Sequence, residues 1–365
     1  MTLEDKALED QLPREIIVSK DDEELLKFLE ATKPRIYVVG TGGSGCNTLN
    51  RMAELGIEGV QFAAMNTDVR HLIKMRSDKK ILLGKTITKG MGAGSNPQVG
   101  EAAAKESAAE IKAAIGDANM VFIACGMGGG TGTGSAPIIA EQAKAAGALT
   151  IAVVTLPFLS EGPVRMKNAL EGLERLRKHA DTVIVVPNDK LLSIAPDLPL
   201  NTAFKVCDEV LAGAVKSIAE LITRAGLVNL DFADLRTILS AAGCAVVGVG
   251  ESSVDAKSDQ RALIAVEMAL SSPLLDVDLS TANRALVNVV GGEDMTLKEA
   301  ELIVAEVSKR IDPGAHIIWG ARVEKSTKKA SLRVLVVIAG AKFPHYETSA
   351  APAVPVENFD LDLIS

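Results

Sequence analysis

The chain is poor in the residues that build metal and nucleophile centres. It holds four cysteines, Cys46, Cys125, Cys207 and Cys244, and four histidines, His71, His179, His316 and His345. No two cysteines form a CxxC pair, which argues against a zinc site, and the set fits a reducing cytoplasm. The histidines are scattered too and read as surface or packing residues. No concentrated basic patch offsets the net charge of -8, so nucleic acid is not an expected partner. No apolar run reaches the ~18 residues that span a bilayer, so no direct membrane span is expected. Met1 to Lys20 has several acids and no apolar core, so it does not read as a signal peptide.

What remains is an ordinary globular composition, 47% hydrophobic and 24% charged over 365 residues, long enough for two domains. One stretch organises the rest: Cys125-Gly126-Met127-Gly128-Gly129-Gly130-Thr131-Gly132-Thr133-Gly134-Ser135-Ala136-Pro137. An apolar run, Ala118 to Ala124, precedes it and reads as a buried strand. Ile138 to Ala146 follows as a helix. Strand, glycine loop and helix present free backbone N–H groups to an anion at a helix N-terminus. Thr131, Thr133 and Ser135 would add hydroxyl donors. A merely flexible turn would carry a needless entropic cost between two buried elements.

A second such unit opens the body. Arg35 to Val39 is a strand, Gly40-Thr41-Gly42-Gly43-Ser44-Gly45 matches G-x-G-x-x-G, and Cys46 to Leu55 is a helix. The next strand, Val60 to Ala64, leads to Asn66-Thr67-Asp68, with Asp68 placed for a ribose. Alone, this half predicts an NAD-dependent oxidoreductase. Two features oppose that: the richer loop at Gly128 to Gly134, and a third cluster, Gly90-Met91-Gly92-Ala93-Gly94-Ser95-Asn96-Pro97. Several glycine loops at strand ends suit a mononucleotide triphosphate gripped from several sides. Gly84-Lys85-Thr86 resembles the end of a Walker motif, but Lys79 occupies the required upstream glycine position.

The alternation continues. Leu149 to Leu156 is a strand, Ser160 to Pro163 a helix start, Val164 to His179 a helix, and Thr182 to Val186 a strand ending in Pro187-Asn188-Asp189. The expected fold class is therefore α/β, a mostly parallel sheet with helices on both faces. Ligands then sit beyond the strand carboxyl ends, where Gly40, Asn66, Gly128, Pro157 and Asn188 fall. Thr202 to Ala225 is a long apolar helix, expected between two bodies. Beyond it lies a smaller α+β unit: helices over 231–242, 258–271 and 296–311, and strands over 244–250, 284–290, 315–323 and 330–339. The last two strands read as a hairpin. The expected divisions are an extension with a short helix (1–33), a nucleotide-binding domain (34–201), a core helix (202–226), a C-terminal domain (227–340), and a linker with a docking tip, Phe359 to Ile364 (341–365).

The loop Gly128 to Gly134 resembles the signature of the tubulin/FtsZ superfamily. Gly40 to Asn47, Asn66-Thr67-Asp68, Gly92 to Pro97, Pro157-Phe158 with Glu161-Gly162, Pro187 to Lys190, and Asn229-Leu230-Asp231-Phe232-Ala233-Asp234 agree in order and spacing. The set is similar to the prokaryotic FtsZ branch, and the acidic tip on a short linker points to an archaeal type. That resemblance implies a Rossmann-like GTPase domain, a core helix and a smaller C-terminal domain. It implies GTP/GDP and Mg²⁺ as ligands, without assigning a protein ligand to the metal. GTP would be bound by Gly42, Gly43, Ser44, Asn47 and Asn66, by Gly92, Ala93 and Gly94 near the γ-phosphate, and by Gly128, Gly129, Gly130, Thr131, Gly132, Thr133 and Gly134. Glu161 would meet the ribose, Arg165 the nucleotide edge, and Asn188, Phe204 and Asp208 the guanine.

Viewed alone, Asp231 and Asp234 are N-cap and first-turn acids of a helix, Glu161 steadies another helix start, and Phe204 is core. The resemblance gives Asp231 and Asp234 a catalytic role on the GTP of a neighbouring subunit. It implies head-to-tail filaments of the chain itself, in the cytoplasm at the mid-cell division site, with a membrane adaptor or other division protein on Phe359 to Ile364. A cell-shape protein of the same superfamily is the alternative.

Overall fold

A computed structural model of the chain describes residues 33–190, 199–224, 226–228, 230–252, 258–275, 277–324 and 331–341. The expected N-terminal helix, the terminal linker and the docking tip lie outside these residues. The first half alternates β1 (Ile36–Thr41), α1 (Gly42–Glu54), β2 (Val60–Asn66), α2 (Val69–Ile73) and β3 (Lys79–Leu82). It continues through α3 (Pro97–Glu106), α4 (Ala108–Ile115), β4 (Met120–Gly126), α5 (Thr131–Ala145), β5 (Leu149–Leu156), α6 (Pro163–His179) and β6 (Thr182–Pro187). The long helix α7 runs Leu200–Thr223. Then come α8 (Phe232–Leu239), β7 (Gly243–Glu251), α9 (Ser258–Leu270), β8 (Arg284–Gly291), α10 (Leu297–Ser308), β9 (His316–Val323) and β10 (Leu332–Ala339).

These strands form one sheet, ordered β3-β2-β1-β4-β5-β6-β7-β10-β8-β9. Pairing is parallel from β3 to β7. The apolar strand runs are explained by burial on both faces. In β1, Tyr37 and Val39 enter one core and Ile36 and Val38 the other. Ile111, Ile139, Leu173 and Leu176 cover the first face, from α4, α5 and α6. Leu49, Met52, Leu211, Val215, Leu235 and Ile238 cover the second, from α1, α7 and α8. Each such side chain contributes roughly 1.5–3 kcal/mol of burial.

The expected hairpin is corrected. β10 inserts between β7 and β8, antiparallel to both, while β9 pairs parallel to β8 at the edge. A parallel neighbour needs a crossover, and α10 supplies it between β8 and β9. The strand order reverses between β1 and β4. Both are followed by glycine-rich turns, so the crevice at the switch point opens onto two glycine loops.

Candidate active site

Three glycine loops converge above the carboxyl ends of β1, β2 and β4. Gly42 has φ +73°, and a Cβ there would lie 2.8 Å from the Gly132 nitrogen, so the first two loops meet backbone to backbone. A Cβ on Gly130 would lie 2.8 Å from Asn96 N and 2.9 Å from Ala93 Cβ, which seats the third loop on the second. The third loop is also tied to the end of β2: Gly92 N–H donates to Thr67 O at 3.1 Å. By contrast, a Cβ on Gly43, Gly92, Gly94 or Gly129 would meet nothing within 4 Å. These four glycines face open space.

The hydroxyls are largely structural. Thr133 Oγ1 accepts the Gly128 N–H at 2.8 Å, closing the loop on itself. Ser135 Oγ donates to Thr131 O at 2.6 Å and lies 2.7 Å from Thr41 Oγ1. Thr131 Oγ1 lies 2.6 Å from Thr67 Oγ1. These side chains hold the loop's shape, leaving backbone N–H groups at the start of α5 as the principal donors. Ser44, exposed on α1, packs where Gly126 lacks a Cβ. Asp68, read above as a ribose acid, caps α2 instead, accepting from Arg70 N at 2.8 Å and His71 N at 3.3 Å. Lys85 Nζ donates to Glu110 at 2.8 Å, which removes it as a phosphate lysine.

The rim beyond β5 and β6 carries the remaining residues. Glu161 Oε1 accepts the Phe158 N–H at 2.9 Å, and its Oε2 pairs with Arg165 Nη1 at 2.8 Å. Phe204, 41% exposed, stands edge-on to Phe158 with ring centroids 5.3 Å apart. It is therefore not a core residue. Asp208, one turn on along α7, accepts from Thr48 Oγ1 at 2.6 Å. Burial pushes its carboxyl up to about 6, against the pull of the Thr48 hydroxyl and the Arg51 charge. Asn188 is 5% exposed, and its Oδ1 has no partner among the described residues. A desolvated acceptor, an orphaned amide oxygen and a half-exposed aromatic ring are groups that could hold a planar, hydrogen-bonding base.

Two residues with no assigned role belong here. Thr48 orients Asp208. His71 bridges Asn47 and Asn66, with Nε2 3.1 Å from Asn47 Oδ1 and Nδ1 3.2 Å from Asn66 Nδ2. The available signal was local: His71 follows the Asp68 cap by three residues, so the short helix folds it back over the end of β2.

Asp231 and Asp234 are elsewhere. Asp231 caps α8, its Oδ1 accepting from Asp234 N at 2.7 Å, and both are exposed. Asn229 lies outside the described residues. The helix is anchored at amino-terminal strand ends. Arg236 Nη2 donates to Gly147 O before β5, and Arg284, opening β8, donates to Ile238 O and Ser240 O. The glycine loops lie at the other ends, across strands that rise ~3.3 Å per residue, about 23 Å for β5.

Among the described residues, no group of three or more His, Cys, Asp or Glu side chains could hold a metal. Nor, among the described residues, is any helix long and apolar enough to cross a membrane.

The chain matches the family model described as the Tubulin/FtsZ family, GTPase domain, over residues 35–196, and that of the FtsZ family, C-terminal domain, over 243–342. It is 57% identical to Cell division protein FtsZ 1 of Methanocaldococcus jannaschii, over 90% of this chain and 89% of the relative. It is 56% identical to Cell division protein FtsZ 1 of Thermococcus kodakarensis, over 89% and 85%. A solved structure titled as an empty FtsZ dimer from M. jannaschii superposes with a TM-score of 0.83 at 54% identity, covering 92% of this chain and 100% of that one. CetZ2 from Haloferax volcanii shares the fold, with a TM-score of 0.73 at 22% identity.

Proposed function

The chain belongs to the tubulin/FtsZ family, on its FtsZ cell-division branch, and from that premise we propose that it is a GTPase whose active site is completed by a second copy. One observation carries the reading. The nucleotide cradle sits at the carboxyl ends of the strands, while α8, which carries Asp231 and Asp234, is anchored at their amino ends. A chain with these two half-sites at opposite ends completes a site by stacking on a copy of itself. Such a heterologous contact does not close, and it propagates as a filament.

The described residues fit GTP. The open glycine faces and the start of α5 take the phosphates. Asp208 accepts from guanine N1–H and the 2-amino group, the Asn188 amide pairs with the guanine edge, and Phe204 covers its face. Glu161 and Arg165 flank the ribose side. Mg²⁺ would supply charge neutralisation on the phosphates; among the described residues no cluster of three or more His, Cys, Asp or Glu would cage it, so the phosphates and water would supply most of its ligands. Asp231 and Asp234 of the neighbour then orient the attacking water, while the glycine-loop N–H groups stabilise charge growing on the phosphates.

The test is Asp231→Ala. Nucleotide binding and assembly by sedimentation persist, and phosphate release drops by about a hundredfold or more, the scale of losing a water-positioning group. Full activity in assembling Asp231→Ala protein would overturn the assignment. We place the protein in the cytoplasm at the mid-cell division ring, with Phe359 to Ile364 docking an adaptor. Adaptor capture that survives removal of residues 359–365 would remove that role. The cell-shape alternative shares the chemistry. Localisation of the tagged chain away from the septum would favour it.

A further inference from the structure

His71 sits in a chain of hydrogen bonds that allows one consistent assignment. Asn66 Oδ1 accepts the Asp68 backbone N–H at 3.2 Å. The Asn66 NH₂ group therefore faces the imidazole, 3.2 Å from Nδ1. An NH₂ group only donates, so Nδ1 carries a lone pair and the proton lies on Nε2. Nε2–H then donates to Asn47 Oδ1 at 3.1 Å. With its oxygen held, Asn47 turns its own NH₂ group away from His71, at an exposed position in the second turn of α1, beside Gly42 and Gly43. That NH₂ group has no partner among the described residues.

The imidazole is itself well placed. Asp68 caps α2 through Arg70 N and His71 N, and Val69 N–H donates to Gly90 O at 3.1 Å, fixing the short helix to the third glycine loop. Orientation thus passes from the Asp68 backbone through Asn66 and His71 to Asn47.

We propose that His71 is a positioning residue of the nucleotide site: a neutral imidazole, protonated on Nε2, that turns the Asn47 amide so that it donates to the phosphate end of the nucleotide. The inference rests on the guanine-nucleotide reading of this cleft. His71 does not touch the nucleotide. It acts through Asn47, as an outer partner orients a ligating group.

The experiment titrates the full chain with a fluorescent GTP analogue in wild type, His71→Leu, His71→Gln, Asn47→Ala and the His71→Leu/Asn47→Ala double variant. Thermal midpoints are recorded in parallel. Long-range ¹H–¹⁵N spectra of histidine-labelled protein report the tautomer, with the His71 signals identified by their loss in His71→Gln. His71→Leu should weaken binding about tenfold, the scale of one hydrogen bond to a charged group. His71→Gln, whose amide offers both a donor and an acceptor, should recover most of that loss. The double variant should bind no more weakly than Asn47→Ala alone, because the two act as one unit. The spectrum should show the Nε2–H form.

Wild-type affinity in His71→Leu, additive losses in the double variant, or an Nδ1–H tautomer would each overturn the proposal. If His71→Leu fails to fold, His71→Gln, Asn47→Ala and the spectrum still decide it: a silent Asn47→Ala or the wrong tautomer sinks it. A wild-type chain that does not bind GTP at all would instead remove the nucleotide reading, a different and separable result.

Discussion

Thr48 Oγ1 donates to Asp208 Oδ1 across 2.6 Å, joining the helix after the first glycine loop to the long helix α7. The bond fixes where the carboxylate stands, and burial holds its pKa up at about 6. Because the folded value lies above the ordinary carboxylate range, ionised Asp208 burdens the nucleotide-free fold above pH 6. The burden lifts as pH falls through that value. Guanine has the opposite demand, since its two N–H donors need the ionised acceptor. GTP affinity should therefore fall as pH drops through about 6, while the nucleotide-free protein loses no stability from this group. Binding titrations on either side of that pH check it, and a flat profile would contradict the assignment of Asp208 to guanine.

Replacing the acceptor should change which base is read. Asp208→Asn presents one donor and one acceptor, a match for the N1–H and 2-oxo group of xanthine. We expect GTP to bind ten- to a hundredfold more weakly, the scale of ~1.5–3 kcal/mol for a charged hydrogen bond. Xanthosine triphosphate should bind better than it does to wild type. Competition between the two nucleotides is the readout.

The glycines of the cradle should divide into two groups. A Cβ on Gly45 would lie 2.1 Å from the Ala124 carbonyl oxygen, so Gly45→Ala should lower the melting temperature sharply. A Cβ on Gly43 or Gly129 meets nothing within 4 Å, and on the proposed reading it would crowd the phosphates. Gly43→Ala and Gly129→Ala should keep or slightly raise thermal stability, by up to ~1 kcal/mol where the position is helical, yet lose GTP affinity. Calorimetry beside a binding assay separates the groups.

Where α7 meets the C-terminal strands, Glu220 is 1% exposed and pairs with Arg322 at 2.6 Å, with Arg224 and Lys216 within 4 Å. Glu220→Ala leaves Arg322 buried without its counter-charge. The cost should be about 3–5 kcal/mol, measured as a lower denaturant midpoint. Glu220→Ala with Arg322→Met should recover part of it.

Local signals were enough for part of the first half of the chain; β3 and the helices α2, α3 and α4 were not legible from them. Each strand carries its own apolar run and closing turn residues, so β1, β4, β5 and β6 and their carboxyl ends could be read directly. What escaped depends on distant partners. Nothing within residues 315–339 tells that β10 leaves its neighbour β9 to pair with β7 and β8, because those pairings are fixed by burial across the whole sheet. Asp68 reads as a ribose acid until α2 is seen to start there, where it serves as the cap. Phe204 and Asp208 belong to an apolar helix, and only the packing of Phe158 and Thr48 against them exposes one and holds the other at the rim.

The shared active site is tested most directly by phosphate release from GTP across a range of chain concentrations. Release per chain should be negligible below a threshold and rise above it, as each new contact brings Asp231 and Asp234 to a neighbour's cradle. Release per chain that stays constant at every concentration would mean that each chain holds a complete site, and would contradict the account.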